Sequence, residues 1–315
     1  MKTHFGDRLV EAVQKKGNAI CVGLDPRLDQ IPKQLVKAAL EESDGAPFVA
    51  ASRAILEFNI GIIDAVADLV PVVKPQIAFY EMFGAPGMAA YQETIKYAKS
   101  KGLLTIADAK RNDIGSTAAA YAKAYLGETD MFNDSDQVVM PAFEADSLTV
   151  TPYLGWDGIK PFVEEARDCG RGIFTLVKTS NPSSGDFQDI QMADGRHLYE
   201  IVASFVDSWG ADDIGESGYG LVGAVVGATY PEQATVLRKL MPNSYFLVPG
   251  YGAQGGGAED VKPCFNEDGL GAVVNSSRGI IFAYEKLEGF DEKSYAEAAR
   301  QAVENMKDDL KSVGL

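Results

Sequence analysis

Histidine and cysteine are scarce in this 315-residue sequence. The two histidines, His4 and His197, are separated by most of the chain, which disfavours a histidine-built zinc or iron site and weakens the case for a Ser-His-Asp triad. The three cysteines, Cys21, Cys169 and Cys264, are far apart and form no C-x-x-C pair. Such cysteine usage favours a reducing compartment, so we expect a cytoplasmic protein.

Long apolar runs and basic patches are also missing. No run of about 18 apolar residues is found, and the N-terminal stretch MKTHFGDRLVEAVQKKG has the spacing of an amphipathic helix and not of a signal peptide, so no membrane partner is expected. The net charge of −16 disfavours nucleic acid, because phosphate backbones are bound by dense Lys and Arg patches. An anionic small molecule needs only a local cluster of cations and backbone N–H groups.

What the sequence does contain is a regular alternation of two kinds of segment. Short β-branched apolar runs, typical of buried parallel strands, alternate with segments of helical spacing. Eight such units predict a (β/α)₈ TIM barrel, with an open doubly wound sheet as the alternative. The predicted strands are 18–25, 69–80, 102–110, 146–155, 172–180, 221–229, 244–252 and 271–279. The predicted helices after them are 47–67, 87–100, 116–126, 157–169, 196–209, 231–240, 257–263 and 291–312.

The chain is predicted to form one domain over residues 1–315. With 46% apolar and 23% charged residues it has the composition of a globular protein, and no Pro/Gly/Ser-rich linker divides it. Two segments, 127–146 and 181–195, depart from the regular spacing. Because irregular segments beyond about 12 residues are usually functional or disordered, we interpret the first as a candidate insertion and the second as a candidate lid loop.

Charges lie inside or directly after the apolar runs, at the barrel end where such folds place their chemistry. Lys74 lies within VPVVKPQIAFY, where a lysine is costly unless paired. Asp108 and Lys110, in ADAKRND, are two residues apart and project to one side of a strand. We expect Lys74, Asp108 and Lys110 to meet across neighbouring strands, with Asp113 just past the strand end, in a network that keeps each member ionised. A purely structural ion network is the alternative.

The last two predicted strands end in candidate anion-binding loops. NSSRGI combines Arg278 with Gly279, a guanidinium beside backbone N–H groups, and VPGYGAQGGG supplies glycines that let backbone approach a ligand. Barrels often bind phosphate after strands seven and eight. The loop KTSNPSSGDFQD after the fifth strand carries hydroxyls and amides suited to a heterocycle or carbonyl, although Ser and Asn before Pro are also ordinary turn residues.

The segment ADAKRNDIGST resembles the D-x-K-x-x-D-I-x-x-T signature of the orotidine 5′-phosphate decarboxylase family. CVGLDPR, Lys74, TSNPSSGDFQ, PGYGAQGG and SSRGI extend the resemblance along almost the whole barrel, and the chain length with VTPYLGWDG and KTSNP is similar to the longer bacterial subgroup, type 2. The resemblance implies a lyase that converts orotidine 5′-monophosphate to uridine 5′-monophosphate and CO₂ in de novo pyrimidine biosynthesis. It also implies that no cofactor or metal takes part, and that the enzyme is a homodimer with shared active sites.

The resemblance also implies roles for individual residues. Lys110 would protonate carbon 6 of the pyrimidine, Asp108 would lie beside the departing carboxylate, and Lys74 would hold Asp108 and a ribose hydroxyl. Asp113, with Ile114 and Thr117, would enter the active site of the partner subunit. The remaining substrate contacts would be Asp25 to the ribose, Ser180 to the amide edge of the pyrimidine, Gln254 from a closing loop, and Arg278 with Gly279 to the phosphate.

Three other functions compete with this interpretation. Sugar-phosphate enzymes of the same superfamily, hexulose-phosphate synthase and ketogulonate-phosphate decarboxylase, share D-x-K-x-x-D but use magnesium and an acidic residue in strand two, where this chain has Lys74. An aldolase would form a Schiff base at Lys110 or Lys178. A phosphate-ligand binding barrel without catalysis would be expected to have lost a member of the charged set, and none is missing.

Overall fold

The computed structural model describes residues 3–131, 138–252 and 255–315. Its strands are β1 Ile20–Leu24, β2 Val72–Pro75, β3 Leu104–Arg111, β4 Thr129–Met131, β5 Val138–Met140, β6 Ser147–Val150, β7 Gly172–Lys178, β8 Val222–Val226, β9 Phe246–Val248 and β10 Ala272–Ser276. Eight parallel strands close a barrel in the order β1-β2-β3-β6-β7-β8-β9-β10, with β10 pairing again with β1. The (β/α)₈ prediction is confirmed, and the open sheet is excluded.

Helices surround the barrel. They are α1 Phe5–Lys16, α2 Lys33–Glu42, α3 Pro47–Val66, α4 Ala78–Glu81, α5 Gly84–Ser100, α6 Gly115–Leu126, α7 Trp156–Cys169, α8 Gly185–Gln188, α9 Leu198–Gly210, α10 Pro231–Leu240, α11 Ala258–Val261, α12 Arg278–Ile281 and α13 Tyr295–Ser312. Each predicted helix has a counterpart, whereas α2 and the single turns α4 and α8 were not predicted. No helix within the described ranges is both long enough and apolar enough to cross a membrane.

The strands are buried on both faces, because helices cover the outside and side chains fill the inside. The N-terminal helix α1 closes the bottom of the barrel. Its Phe5 packs edge-on against Phe174 of β7, with ring centroids 6.0 Å apart, and occupies the space that a side chain at Gly172 would need. The amphipathic N-terminus is therefore part of the core, and the opposite end of the barrel stays open for a site.

The two segments with irregular spacing both contain ordered structure. Within 127–146, β4 and β5 form an antiparallel hairpin whose register pairs Thr129 with Met140 and Met131 with Val138. Within 181–195, a 3₁₀ turn at 182–184 leads directly into α8, and the N–H of Leu198 then donates to the carbonyl of Ile190 at 2.9 Å. The second segment is therefore folded back onto the barrel and is not an irregular loop.

Candidate active site

Neighbouring strands bring the predicted charges together at the carboxyl end of the barrel. The side-chain nitrogen of Lys74, on β2, lies 2.8 Å from Oδ2 of Asp108, on β3, and 3.9 Å from Oδ1 of Asp25, which follows β1. The side-chain nitrogen of Lys110 lies 2.6 Å from Oδ1 of Asp108. The predicted alternation of Lys74, Asp108 and Lys110 is thus present, and we call these three with Asp25 the charged cluster.

Asp108 is the centre of this cluster. Besides the two lysines, Gln76 donates to its Oδ2 at 2.8 Å and the hydroxyl of Thr149 donates to its Oδ1 at 3.0 Å. The same Thr149 hydroxyl accepts the backbone N–H of Lys110 at 2.9 Å. Thr149 was missed from the sequence. The available signal was a pair of hydroxyl residues, Ser147 and Thr149, two apart in a four-residue buried strand.

The cluster favours the ionised forms of Asp108 and Lys74. Burial by itself would raise the pKa of Asp108, but the ammonium groups of Lys74 and Lys110 outweigh burial and hold that pKa well below its usual value. Burial likewise opposes the charge on Lys74, but Asp108 and Asp25 outweigh it and raise the pKa of Lys74 above its usual value. The charges of these two buried residues are therefore stabilised mainly by neighbouring charges and not by water.

Lys110 is the most exposed member of the charged cluster. Its side chain is 46% exposed, whereas that of Lys74 is 5% exposed and that of Asp108 is 9% exposed. The pairing of β3 with β6 shifts register between Ala107 and Arg111, and Lys110 has a φ of 48° within this irregular stretch. The strand end is thus bent so that the Lys110 ammonium stands at the open mouth of the barrel.

Asp113, Ile114 and Thr117 lie outside this cluster. The carboxylate of Asp113 accepts the N–H of Ile114 at 2.8 Å, and it forms no ion pair with any residue in the described part of the chain. The backbone of Asp113 has a φ of 152°, which favours glycine. Ile114 and Thr117 are exposed at the start of α6. These three residues are therefore not part of the charged cluster of this chain.

Asp25 and Ser180 follow β1 and β7, which lie on opposite sides of the barrel. Oδ1 of Asp25 is buried and has no hydrogen-bond partner among the described residues. Ser180 follows β7, its carbonyl accepts the hydroxyl of Thr229 at 3.3 Å, and a Cβ at Gly227 would lie 2.8 Å from the Ser180 Cβ. Asp25 thus offers a free acceptor, and Ser180 is packed firmly on the end of β8.

The predicted phosphate residues lie at the start of α12. Arg278 and Gly279 are exposed there, and Arg278 forms no ion pair within residues 3–131, 138–252 and 255–315. A guanidinium without a counter-charge can bind an anion from solution. Gln254 lies outside the described residues, so its predicted contact with substrate stays a prediction.

Lys178, the alternative Schiff-base lysine, is engaged elsewhere. It is fully buried at the end of β7, its nitrogen lies 2.7 Å from Oδ1 of Asp189, and it stands 4.6 Å from the ring centroid of Tyr230. Schiff-base lysines are activated by an apolar pocket or by a neighbouring cation, whereas the charged group beside Lys178 is a carboxylate. Lys178 therefore lacks the surroundings of a Schiff-base lysine.

An apolar groove of about 570 Å³ opens beside β7 and contains no member of the charged cluster. Its aromatic lining comes from the loop before α7, from the first residue of α7, from α8 and from α9: Tyr153, Trp156, Phe187, Tyr199, Phe205 and Trp209. Volume alone therefore does not locate the charged site. Among the described residues, no group of three or more His, Cys, Asp or Glu side chains is placed to hold a metal ion.

Comparison with known proteins gives a consistent result. Residues 18–290 match the model of the orotidine 5′-phosphate decarboxylase / HUMPS family. The chain is 48% identical to an orotidine 5′-phosphate decarboxylase of Rhodopirellula baltica, covering 98% of this chain and 99% of that protein, and 45% identical to one of Caldicellulosiruptor bescii, covering 93% and 94%. The structure of Leishmania donovani OMP decarboxylase matches with a TM-score of 0.70 at 30% identity, covering 97% and 99%. The chain belongs to the orotidine 5′-phosphate decarboxylase / HUMPS family.

Proposed function

We propose that this protein is a carboxy-lyase that converts orotidine 5′-monophosphate to uridine 5′-monophosphate and CO₂ in pyrimidine biosynthesis. The observation that carries the proposal is the alternation of Lys74, Asp108 and Lys110, with the ammonium of Lys110 2.6 Å from Asp108 and open to a ligand. Full-length relatives named for this activity support it. Lys74, in place of an acidic residue in the second strand, favours it over the magnesium-dependent sugar-phosphate enzymes.

The chemistry follows from the charges of the cluster. When the bond between carbon 6 and the carboxylate breaks, its electron pair stays on carbon 6, and a fixed ammonium stabilises that charge as it develops. Lys110 then donates a proton to carbon 6, which forms the new C–H bond and leaves a neutral amine that solvent reprotonates. Asp108 holds Lys110 in place and sets a negative charge beside the departing carboxylate. Neither the decarboxylation nor the protonation step, as written, requires a cofactor.

Substrate binding is assigned to groups with free hydrogen-bonding capacity. Asp25 has an unpartnered buried oxygen that suits a ribose hydroxyl, and Lys74 lies between Asp25 and Asp108. Arg278 with Gly279 would bind the phosphate, and Ser180 the amide edge of the pyrimidine. Gln254 would contact substrate from the loop after β9. Phosphate bound far from the reacting carbon supplies binding energy for closure and alignment.

The active enzyme is proposed to be a homodimer with shared sites. Asp113 has no cationic partner in its own chain, as far as the described residues extend, and it is followed by the exposed Ile114. An unpaired carboxylate and an exposed apolar side chain are suited to insertion into a second copy. Asp113, Ile114 and Thr117 would then complete the partner's cluster. The whole chain, 1–315, would act as one cytoplasmic barrel domain, with 181–195 as its lid.

An absorbance assay with orotidine 5′-monophosphate tests the proposal. Purified protein is expected to form uridine 5′-monophosphate at the same rate with and without a metal chelator. Absence of turnover would overturn the assignment, and activity that vanishes with the chelator would favour the sugar-phosphate enzymes. Borohydride treatment with substrate is expected to leave no adduct on Lys110 or Lys178, whereas an aldolase would be trapped there.

A further inference from the structure

An ion pair between the buried Lys178 and the partly exposed Asp189 connects the end of β7 to the segment 181–195. Lys178 is the last residue of β7, and its nitrogen lies 2.7 Å from Oδ1 of Asp189, eleven residues later. The rings of Tyr230 and Tyr199 lie 4.6 Å and 5.7 Å from the same ammonium. Because a buried lysine is costly without a counter-charge, Asp189 is held at this position.

A second link lies directly beside the first. The backbone N–H of Thr179 donates to Oε1 of Gln188 at 2.9 Å, and Nε2 of Gln188 donates to the hydroxyl of Thr179 at 2.8 Å. Two adjacent residues at the end of β7 thus bind two adjacent residues at the end of α8. We call Lys178, Thr179, Gln188 and Asp189 the clasp. It closes the intervening chain into a compact loop whose two ends cannot move independently.

Ser180 is the first residue enclosed by the clasp. Thr179 and Gln188 fix it from one side, while on the other its carbonyl accepts the Thr229 hydroxyl and its Cβ packs on Gly227. Only a glycine at position 227 allows this approach, since an added Cβ would lie 2.8 Å from the Ser180 Cβ. The position of Ser180 therefore depends on both the clasp and β8.

We propose that the clasp fixes the pyrimidine subsite, so that Lys178 and Asp189 are positioning residues that act through Ser180. The proposal rests on the function proposed above, in which Ser180 contacts the base. Neither Lys178 nor Asp189 touches substrate, because their charged groups are satisfied by each other and by the flanking rings and Gln233. If the ion pair were merely structural, its removal would lower the stability of the fold and would leave the affinities of the base and phosphate subsites unchanged relative to each other.

The test compares two ligands that share the phosphate but differ in the base. Calorimetry is used to measure the binding of uridine 5′-monophosphate and of ribose 5-phosphate to wild type, Asp189→Asn, Lys178→Met and Lys178→Arg. Asp189→Asn and Lys178→Met are expected to weaken binding of the nucleotide by about ten-fold while leaving ribose 5-phosphate unchanged. Lys178→Arg keeps the cation and is expected to retain most of the nucleotide affinity.

Asp194→Asn is the matched control. Asp194 lies in the same segment and pairs with Arg196, but this pair is exposed and has no link to the barrel strands. Its loss is expected to leave both affinities unchanged. Because Lys178 is fully buried and its methionine variant can fail to fold, the partly exposed Asp189 provides the second variant, with the fold checked by circular dichroism.

The outcomes separate the two proposals. Wild-type nucleotide affinity in both Asp189→Asn and Lys178→Met, or an equal loss for both ligands, overturns the positioning role while the proposed decarboxylation stands. A wild-type protein that binds ribose 5-phosphate but gains no affinity from the uracil base overturns the proposed function and the clasp together.

Discussion

The side-chain nitrogen of Lys110 lies 2.6 Å from Oδ1 of Asp108, two residues earlier, and the backbone of Lys110 has a φ of 48°. In a regular strand these two side chains would run parallel, roughly 7 Å apart. The left-handed conformation costs a lysine about 1–2 kcal/mol. That cost is offset by the ion pair and by the Thr149 hydroxyl, which accepts the N–H of Lys110 and donates to Asp108. The backbone conformation at Lys110 therefore determines where the ammonium of the proposed proton donor lies.

Replacing Lys110 by alanine is expected to abolish conversion of orotidine 5′-monophosphate while leaving the fold intact. The variant lacks the ammonium that stabilises charge at carbon 6 and donates the proton. Turnover is measured by absorbance and the fold by circular dichroism. Lys160→Ala, which removes a surface lysine paired with Glu164, serves as the control and is expected to keep full activity. Near-normal turnover in Lys110→Ala would refute the assigned role.

Replacing Asp108 by asparagine is expected to lower the free energy of unfolding by about 3 kcal/mol near neutral pH, because Lys74 loses its nearest counter-charge in a buried site. The pKa of Asp108 is lowered on folding from its ordinary value of 3.8. Its ionised form therefore stabilises the fold above about pH 4, and this contribution is lost as the pH falls further. Urea unfolding of wild type and variant at about pH 7 and about pH 3 should show the difference narrowing in acid.

Asp64→Asn is the control for this measurement. Its carboxylate pairs with Lys101 at the surface, where solvent screens the interaction, so little change in unfolding free energy is expected. A difference between wild type and Asp108→Asn that stays constant across this pH range would contradict the low pKa of Asp108.

Mixing two inactive variants tests whether active sites are shared between subunits. Lys110→Ala and Asp113→Asn are each expected to be inactive as homodimers. In a mixed dimer one of the two sites contains both intact residues, so random reassortment is expected to restore about a quarter of wild-type activity. The activity of the mixture is followed after unfolding and refolding the variants together. A mixture that stays as inactive as its components would place Asp113 outside the partner's site.

Replacing Arg278 by alanine is expected to weaken binding of uridine 5′-monophosphate by about 10-fold to 100-fold. The reason is that the variant lacks the charge-assisted contact between the guanidinium and the phosphate. Binding of uridine, which has no phosphate, should not change. Calorimetry with both ligands makes the comparison, and Arg53→Ala, which removes a surface arginine paired with Glu42, provides the control. Equal losses for uridine and its phosphate would show that Arg278 does not bind the phosphate.

The charged cluster was predictable because its signal is local. A lysine inside an apolar run, as at Lys74, needs a partner, and the alternation in ADAKRND supplies one. The contact of Thr149 with Asp108 was not predictable from the sequence, because a hydroxyl residue is ordinary in a strand and the two residues are 41 positions apart. Asp189 was missed for the same reason, since only the folded segment brings it to Lys178.

The eight barrel strands were predicted from their apolar runs, whereas two peripheral elements, α2 and the β4–β5 hairpin, were not. The eight barrel strands are buried on both faces, which produces compact apolar runs. Helix α2 buries only Ala39 fully, and it is a second helix between β1 and β2, where the strand–helix alternation predicts one. The β4–β5 hairpin is exposed along both described strands, so no burial pattern marks it. Neither element is needed to form the charged cluster.

The barrel closes where its first strand pairs with its last, with Ile20 beside Val274 and Val22 beside Ser276. Asp25 and Arg278 stand just beyond this seam, so a ligand that contacts both would join the two ends of the chain across it. Ligand binding should then slow amide hydrogen exchange along β1 and β10 together, although these strands are separated by most of the sequence. A bound ligand would therefore stabilise the pairing of β1 with β10 that closes the barrel.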